Sequence, residues 1–142
     1  MEIPQIVRTY IDTFCRGDLD GWLATFAPDG TCSDPGTAQP LSGPAIKDHY
    51  AALFAGFPDL AVETVAVQAI ISDLAVWRWV VRGTNTGSYR GFPPTSRSMV
   101  LPGCEFIEVR DGLVQRVEGY FDRLSMLGQL GLVSLPPARA AS

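Results

Sequence analysis

The apolar residues of this chain recur at two periods, helical in the first third and alternating through most of the remainder. Ile3, Ile6, Val7, Tyr10, Ile11 and Phe14 fall on one stripe at helical spacing. Gly17 ends that stripe. Asp18 is placed to cap a second, short helix, Leu19–Phe26, with Leu19, Trp22, Leu23 and Phe26 on its inner side. Pro28-Asp29-Gly30 reads as a turn, Thr31–Asp34 as a short strand and Pro35–Ser42 as a loop. Gly43-Pro44 opens a third helix, with proline in the first turn, where its missing N–H costs nothing. Ile46, His49, Tyr50, Leu53, Phe54 and Phe57 share its stripe, so the one histidine of the chain lies on an apolar face.

Phe57-Pro58-Asp59 breaks the helical period, and the chain beyond it is mostly sheet. Leu60–Ile71 is rich in Val, Ala and Ile. Ala75–Gly83 alternates, with Trp77, Trp79 and Val81 on one face and Val76, Arg78, Val80 and Arg82 on the other. Thr84–Arg97 carries Gly87, Gly91 and Pro93-Pro94 and is too punctuated for a central strand. Met99–Arg110 and Leu113–Asp122 then form an antiparallel hairpin around Asp111-Gly112, a pair that supplies the backbone angles of a tight turn. Asp122 heads a last short helix, Leu124–Leu132. No internal repeat or linker is visible. The pattern predicts a single α+β domain over residues 1–135, with three helices and then a strongly curved antiparallel sheet folded over them. The Pro-Ala-Ser-rich residues 136–142 form a flexible tail.

The hairpin carries the chemistry. Met99, Leu101, Gly103, Glu105, Ile107 and Val109 share a face that is apolar except at Glu105. A carboxylate there is costly to bury unless it is paired or protonated. On the return strand Leu113, Val117, Gly119 and Phe121 share a face, and Gly119 leaves a gap. Two apolar faces meeting around one acid and one gap describe a lined cavity; the alternative is a Glu105 at a solvated end of its strand.

Composition narrows the partners. At 142 residues the chain buries a real core without staples, and its net charge of −4 comes from mixed signs with no basic stripe, which argues against nucleic acid. No apolar run is long enough to cross a bilayer, and Met1-Glu2 leads into an amphipathic pattern rather than a signal peptide. Cys15, Cys32 and Cys104, odd in number and far apart, fit reduced thiols in a cytoplasm. With one histidine and no paired-cysteine motif, no metal site is expected. Neither a dinucleotide fingerprint nor a phosphate loop occurs, so no tightly held cofactor is expected.

Gly83-Thr84-Asn85-Thr86-Gly87, Gly91-Phe92-Pro93-Pro94-Thr95, Asp111-Gly112, Tyr120-Phe121-Asp122 and Gln129-Leu130-Gly131 succeed one another in order, with Phe57-Pro58-Asp59-Leu60 before them. Together they resemble the SnoaL-like polyketide cyclases of the nuclear-transport-factor-like superfamily, from about Ile6 to Leu132. The resemblance implies a cone-shaped α+β barrel with one interior pocket, often a homodimer through the convex sheet face, where Arg78 and Arg82 would lie. It also implies that the cyclases carry an aspartate where this chain has Gly119 and a histidine where it has Glu105. Limonene epoxide hydrolases of the same superfamily place Arg and Asp where this chain has Trp79 and Val81.

With those groups replaced, Glu105, raised by desolvation among Met99, Leu101, Ile107, Trp77 and Trp79, becomes the candidate acid/base. His49 is either a second proton carrier or a core histidine bonded to backbone. Asp122 serves either at the pocket mouth or as the cap of the last helix. Trp77, Trp79, Phe121, Trp22 and Tyr50 either stack on a flat polycyclic ligand or are plain core. Asp34 and Cys32 lie near a position where cyclases carry a polar ligand-binding residue. The expected function is tailoring of an aromatic, anthracycline-type polyketide. A hydroxylase-type member working with a separate reductase leads. A cyclase or isomerase using Glu105 comes next, and then a non-catalytic binding or dimerisation module.

Overall fold

The computed structural model describes residues 2–139. Its elements run α1 (Gln5–Cys15), α2 (Leu19–Leu23), β1 (Phe26–Ser33), β2 (Leu41–Ser42), α3 (Pro44–Gly56), β3 (Ala61–Ile71), β4 (Leu74–Thr84), β5 (Ser98–Arg110), β6 (Leu113–Phe121) and α4 (Arg123–Gln129). The expected tail reaches past the described residues at 140–142. Among the described residues no helix is long and apolar enough to cross a membrane.

The helices form where the stripes predict. Asp18 accepts the Gly21 N–H at 3.0 Å and caps α2, but α2 stops at Leu23. Phe26, expected as the end of that helix, instead begins β1. The turn read at Pro28-Asp29-Gly30 is an irregularity inside β1, where the pairing with β6 shifts register between Phe26 and Thr31. A strand therefore separates the second and third helices.

The six strands form one sheet in the order β2-β1-β6-β5-β4-β3. The architecture is the expected α+β cone, but its sheet is not antiparallel throughout. β1 pairs with β6 in parallel, and β2 and β3 remain as unjoined edges, so the sheet is mixed and open. β1 runs parallel to β6 because the chain crosses through α3, β3, β4 and β5 before returning beside it, a connection far longer than a hairpin.

β4 and β5 alternate as expected. Trp77, Trp79 and Val81 on β4 are buried, as are Met99, Leu101, Glu105 and Ile107 on β5, whereas Arg78 and Arg82 are exposed on the outer face. The return strand departs from simple alternation. Glu108 pairs with Arg116 and Val109 with Val114, so Gln115 is an extra residue in β6. This bulge reverses the pleat. Val114 is fully buried in place of the expected Leu113, while Val117 and Gly119 keep their inward positions.

The excursion after β4 is tied down by a buried side chain. The Asn85 amide donates to the carbonyls of Gly56 (3.1 Å) and Gly87 (2.9 Å), and its oxygen accepts from the Thr95 N–H (2.9 Å) and hydroxyl (3.0 Å). One asparagine thus joins the end of α3 to both arms of the loop. Gly87 has no room for a side chain, since a Cβ would strike the Ala55 carbonyl oxygen. These contacts hold Tyr89–Phe92 against α3.

Candidate active site

A cavity of about 90 Å3 opens between the inward face of β4–β6 and the helices. It is several times what one enclosed water needs, roughly 10–15 Å3. Trp77, Trp79, Met99 and Leu101 wall it from the sheet. Phe121 and Gly119 come from β6, and His49 and Tyr50 from α3. Glu105 and Asp34 complete the set of expected residues that the fold brings together. Two others lie elsewhere. Trp22 is fully buried beneath the cavity, packed on Tyr10, Phe26 and Tyr50, with ring centroids 5.1–5.5 Å away. Asp122 is exposed and accepts the Ser125 N–H at 2.9 Å, capping α4, and does not line the cavity.

Glu105 is 8% exposed. The Tyr10 hydroxyl donates to its Oε1 at 2.6 Å, reaching across from α1. Burial pushes the carboxyl up to about 7. The Tyr10 hydrogen bond opposes that rise, the Asp34 carboxylate adds to it, and the nearby Trp79 indole favours the charged form slightly. Burial and the neighbouring Glu105 also push the Tyr10 hydroxyl well above the usual tyrosine range, so it stays a donor.

Asp34 comes directly after β1 and is the second acid. Burial pushes its carboxyl up, but His49, the Tyr50 hydroxyl and the Gly36 N–H outweigh that and leave it below the usual carboxylate value. His49 Nε2 lies 2.9 Å from Oδ2, the Tyr50 hydroxyl donates to the same oxygen at 2.8 Å, and the Gly36 N–H donates to Oδ1 at 2.6 Å. Arg90 Nη2 lies 2.8 Å from His49 Nδ1 and 3.2 Å from Nε2. Arg90 also reaches the His49 carbonyl at 3.3 Å, and its guanidinium stands 5.3 Å from the Tyr89 ring. His49 is therefore neither a backbone-bonded core histidine nor a direct partner of Glu105. It is the centre of an Asp34–His49–Arg90 chain along the cavity wall.

The sequence alone does not single out Tyr10 or Arg90. Tyr10 sits on the apolar stripe of α1, and its one signal is that a buried tyrosine hydroxyl must find a partner. Arg90 lies in the irregular loop, at φ +47°, where no periodicity points anywhere. Cys32 is buried with its sulfur 3.7 Å from the Tyr50 hydroxyl, and burial pushes its thiol far up.

An open sheet wrapped over helices, with an aromatic-walled cavity that holds the carboxyls of Glu105 and Asp34, is the architecture of an α+β cone. The chain belongs to the SnoaL-like polyketide cyclase family, whose model matches residues 4–130. Among solved structures it is similar to AclR from Streptomyces galilaeus, described as a putative hydroxylase (TM-score 0.80, 22% identity, 94% of this chain and 83% of that one). It is also similar to IdmH from Streptomyces antibioticus, a putative polyketide cyclase (TM-score 0.75, 28% identity, 89% and 96%). A third is a putative SnoaL-like polyketide cyclase from Jannaschia sp. CCS1 (TM-score 0.77, 26% identity, 96% and 99%).

Proposed function

We propose that this protein is a tailoring enzyme for a planar, enolisable aromatic polyketide, with Glu105 as the group that takes and returns the proton. The observation that carries this reading is the single buried carboxyl in the cavity that is poised near neutrality, beside a second that stays ionised. A pair of acids pushed apart in this way divides the labour: Glu105 moves the proton, and Asp34 holds His49 and the wall in place. The aromatic walls suit a flat ring system.

Of the family's activities, the hydroxylase type fits these residues best. The resemblance puts the cyclases' aspartate and histidine at Gly119 and Glu105, and this chain has neither. In that reaction a separate reductase delivers two electrons to make a quinol. Glu105 removes a quinol proton, and the electron-rich ring reduces molecular oxygen, keeping one atom as the new hydroxyl and releasing the other as water. The likeness to two putative cyclases supports a second reading, intramolecular aldol closure with Glu105 as the base. As in the resemblance, the proposal includes a homodimer through the outer sheet face, where Val100 and Tyr120 are exposed and Phe106 stacks edge-on against Tyr120.

Oxygen uptake with a reduced quinone polyketide, NADPH and a reductase is the expected result; ring closure of a polyketide ester without oxygen selects the cyclase instead. In either assay Glu105→Gln is expected to cut turnover about 10²-fold or more. Unchanged turnover removes Glu105 from the chemistry, and ligand binding with no turnover in any assay leaves a binding module.

A further inference from the structure

The two tryptophans that β4 turns into the cavity differ in one respect. The Trp77 indole N–H donates to the Thr64 hydroxyl at 3.0 Å, across the β3–β4 pair. The Trp79 and Trp22 indole N–H groups are both buried with no acceptor in hydrogen-bonding geometry. Of the two only Trp79 lines the cavity, where it lies near enough to Glu105 to favour its charged form. Trp79 is 7% exposed and forms part of the cavity wall. Its ring lies over Gly103, where any side chain would collide with it, and against Phe121 at 6.4 Å between centroids. The indole is thus pinned from two sides. A donor buried without an acceptor is costly, and native structures seldom keep one without a use. Gly103 and Glu105 are next-but-one neighbours on the inward face of β5, paired with Trp79 and Trp77 respectively, so the unpartnered N–H and the poised carboxyl share one end of the cavity.

We propose that Trp79 Nε1–H is the binding point for a ligand oxygen, making the ligand a planar molecule with a carbonyl conjugated to the acidic C–H or O–H that Glu105 deprotonates. This deepens the acid/base reading and rests on it. Glu105 takes the proton, the electron pair left behind moves into the conjugated system, and the carbonyl π pair moves onto oxygen. The resulting enolate or phenolate oxygen accepts from Trp79, and Glu105 is left as the neutral acid. Nothing is oxidised or reduced in this step, and a donor already fixed where charge develops needs no reorganisation to stabilise it.

The test compares calorimetric binding of 1-hydroxy-2-acetonaphthone, a planar keto-phenol, and 2-ethylnaphthalene, its oxygen-free counterpart, to wild type, Trp79→Phe and Glu105→Gln. Wild type is expected to prefer the keto-phenol by about 10-fold or more, of the order of one charge-assisted hydrogen bond. Trp79→Phe is expected to erase that preference, lowering the keto-phenol's affinity by about 10-fold more than the hydrocarbon's. Should Trp79→Phe fail to fold, 15N-indole labelling of wild type gives the same answer: one indole signal moves downfield with the keto-phenol and not with the hydrocarbon. The proposal is overturned if wild type shows no oxygen preference or binds neither probe, if Trp79→Phe retains the preference, or if no indole signal moves. An intact preference in Trp79→Phe, with its pH profile shifted upward, means that the N–H serves Glu105 alone. The two readings fail separately. Lost preference in Trp79→Phe with full turnover in Glu105→Gln keeps the oxygen site and removes the acid/base assignment; the reverse pattern keeps the acid/base and removes the site.

Discussion

Glu105 and Asp34 are carboxyls in one cavity, and their neighbours drive them in opposite directions. Asp34 receives three donors and stays charged; Glu105 receives one close hydrogen bond, from Tyr10, against full desolvation. Gly119 stands between them. A Cβ at that position would lie 3.4 Å from the Asp34 Cβ and 3.6 Å from the Glu105 Cγ, ordinary contact distances. The gap is therefore open to a side chain rather than closed by packing. Gly119→Asp should fold, and its carboxylate should join Asp34 in opposing ionisation of Glu105. The expected result is a pH–rate profile whose acid-to-base transition lies above that of wild type. An unmoved profile would mean that the new carboxylate is screened from Glu105.

Among the elements, β6 and α4 set how the cavity closes. The extra residue Gln115 lets Val114 and Val117 face the same way although they stand three positions apart. Deleting Gln115 should leave a regular ladder with Val114, Val117 and Gly119 all still inward, so the deletion should fold and keep the cavity. Truncating Val114 itself, by Val114→Ala, should instead cost about 1–3 kcal/mol, readable as a lower urea midpoint. α4 lines the cavity through Met126 and Leu127 and depends on its cap. Asp122→Ala should cost about 1 kcal/mol by leaving the Ser125 N–H without its acceptor, measured by thermal unfolding. Its carboxylate faces solvent at the helix start, so its assignment among candidate acids gives way to this structural role.

For the whole molecule, the raised carboxyl links stability to pH. Glu105 goes from 4.5 to about 7 on folding. A folded value above the unfolded one means that this contribution is fully present below pH 4.5 and is lost as pH rises through about 7. The difference corresponds to about 3 kcal/mol as an order of magnitude. Wild type should therefore lose stability relative to Glu105→Gln across that window, and denaturant curves of both proteins at several pH values would check it. Asp34, held below its ordinary 3.8, acts with the opposite sign: its contribution is present above that value and is lost as pH falls through the lower folded one.

The stripes of α1 and α3, the alternation of β4 and β5 and the turn at Asp111-Gly112 were legible in the chain, because each depends on neighbours a few residues away. So was Glu105 as the acid in an apolar strand, since the cost of burying a charge shows wherever a lone carboxyl interrupts an inward face. The parallel pairing of β1 with β6, the bulge at Gln115 and the open edges were not legible. They depend on which distant strands meet, and a period of two looks the same in either pairing direction. The same holds for the site's partners. That Tyr10 reaches Glu105, that Arg90 reaches His49, and that Trp77 finds Thr64 while Trp79 meets no acceptor in hydrogen-bonding geometry were decided by the tertiary structure. The sequence by itself determined which groups needed a partner; only the packing of remote segments decided which of them received one.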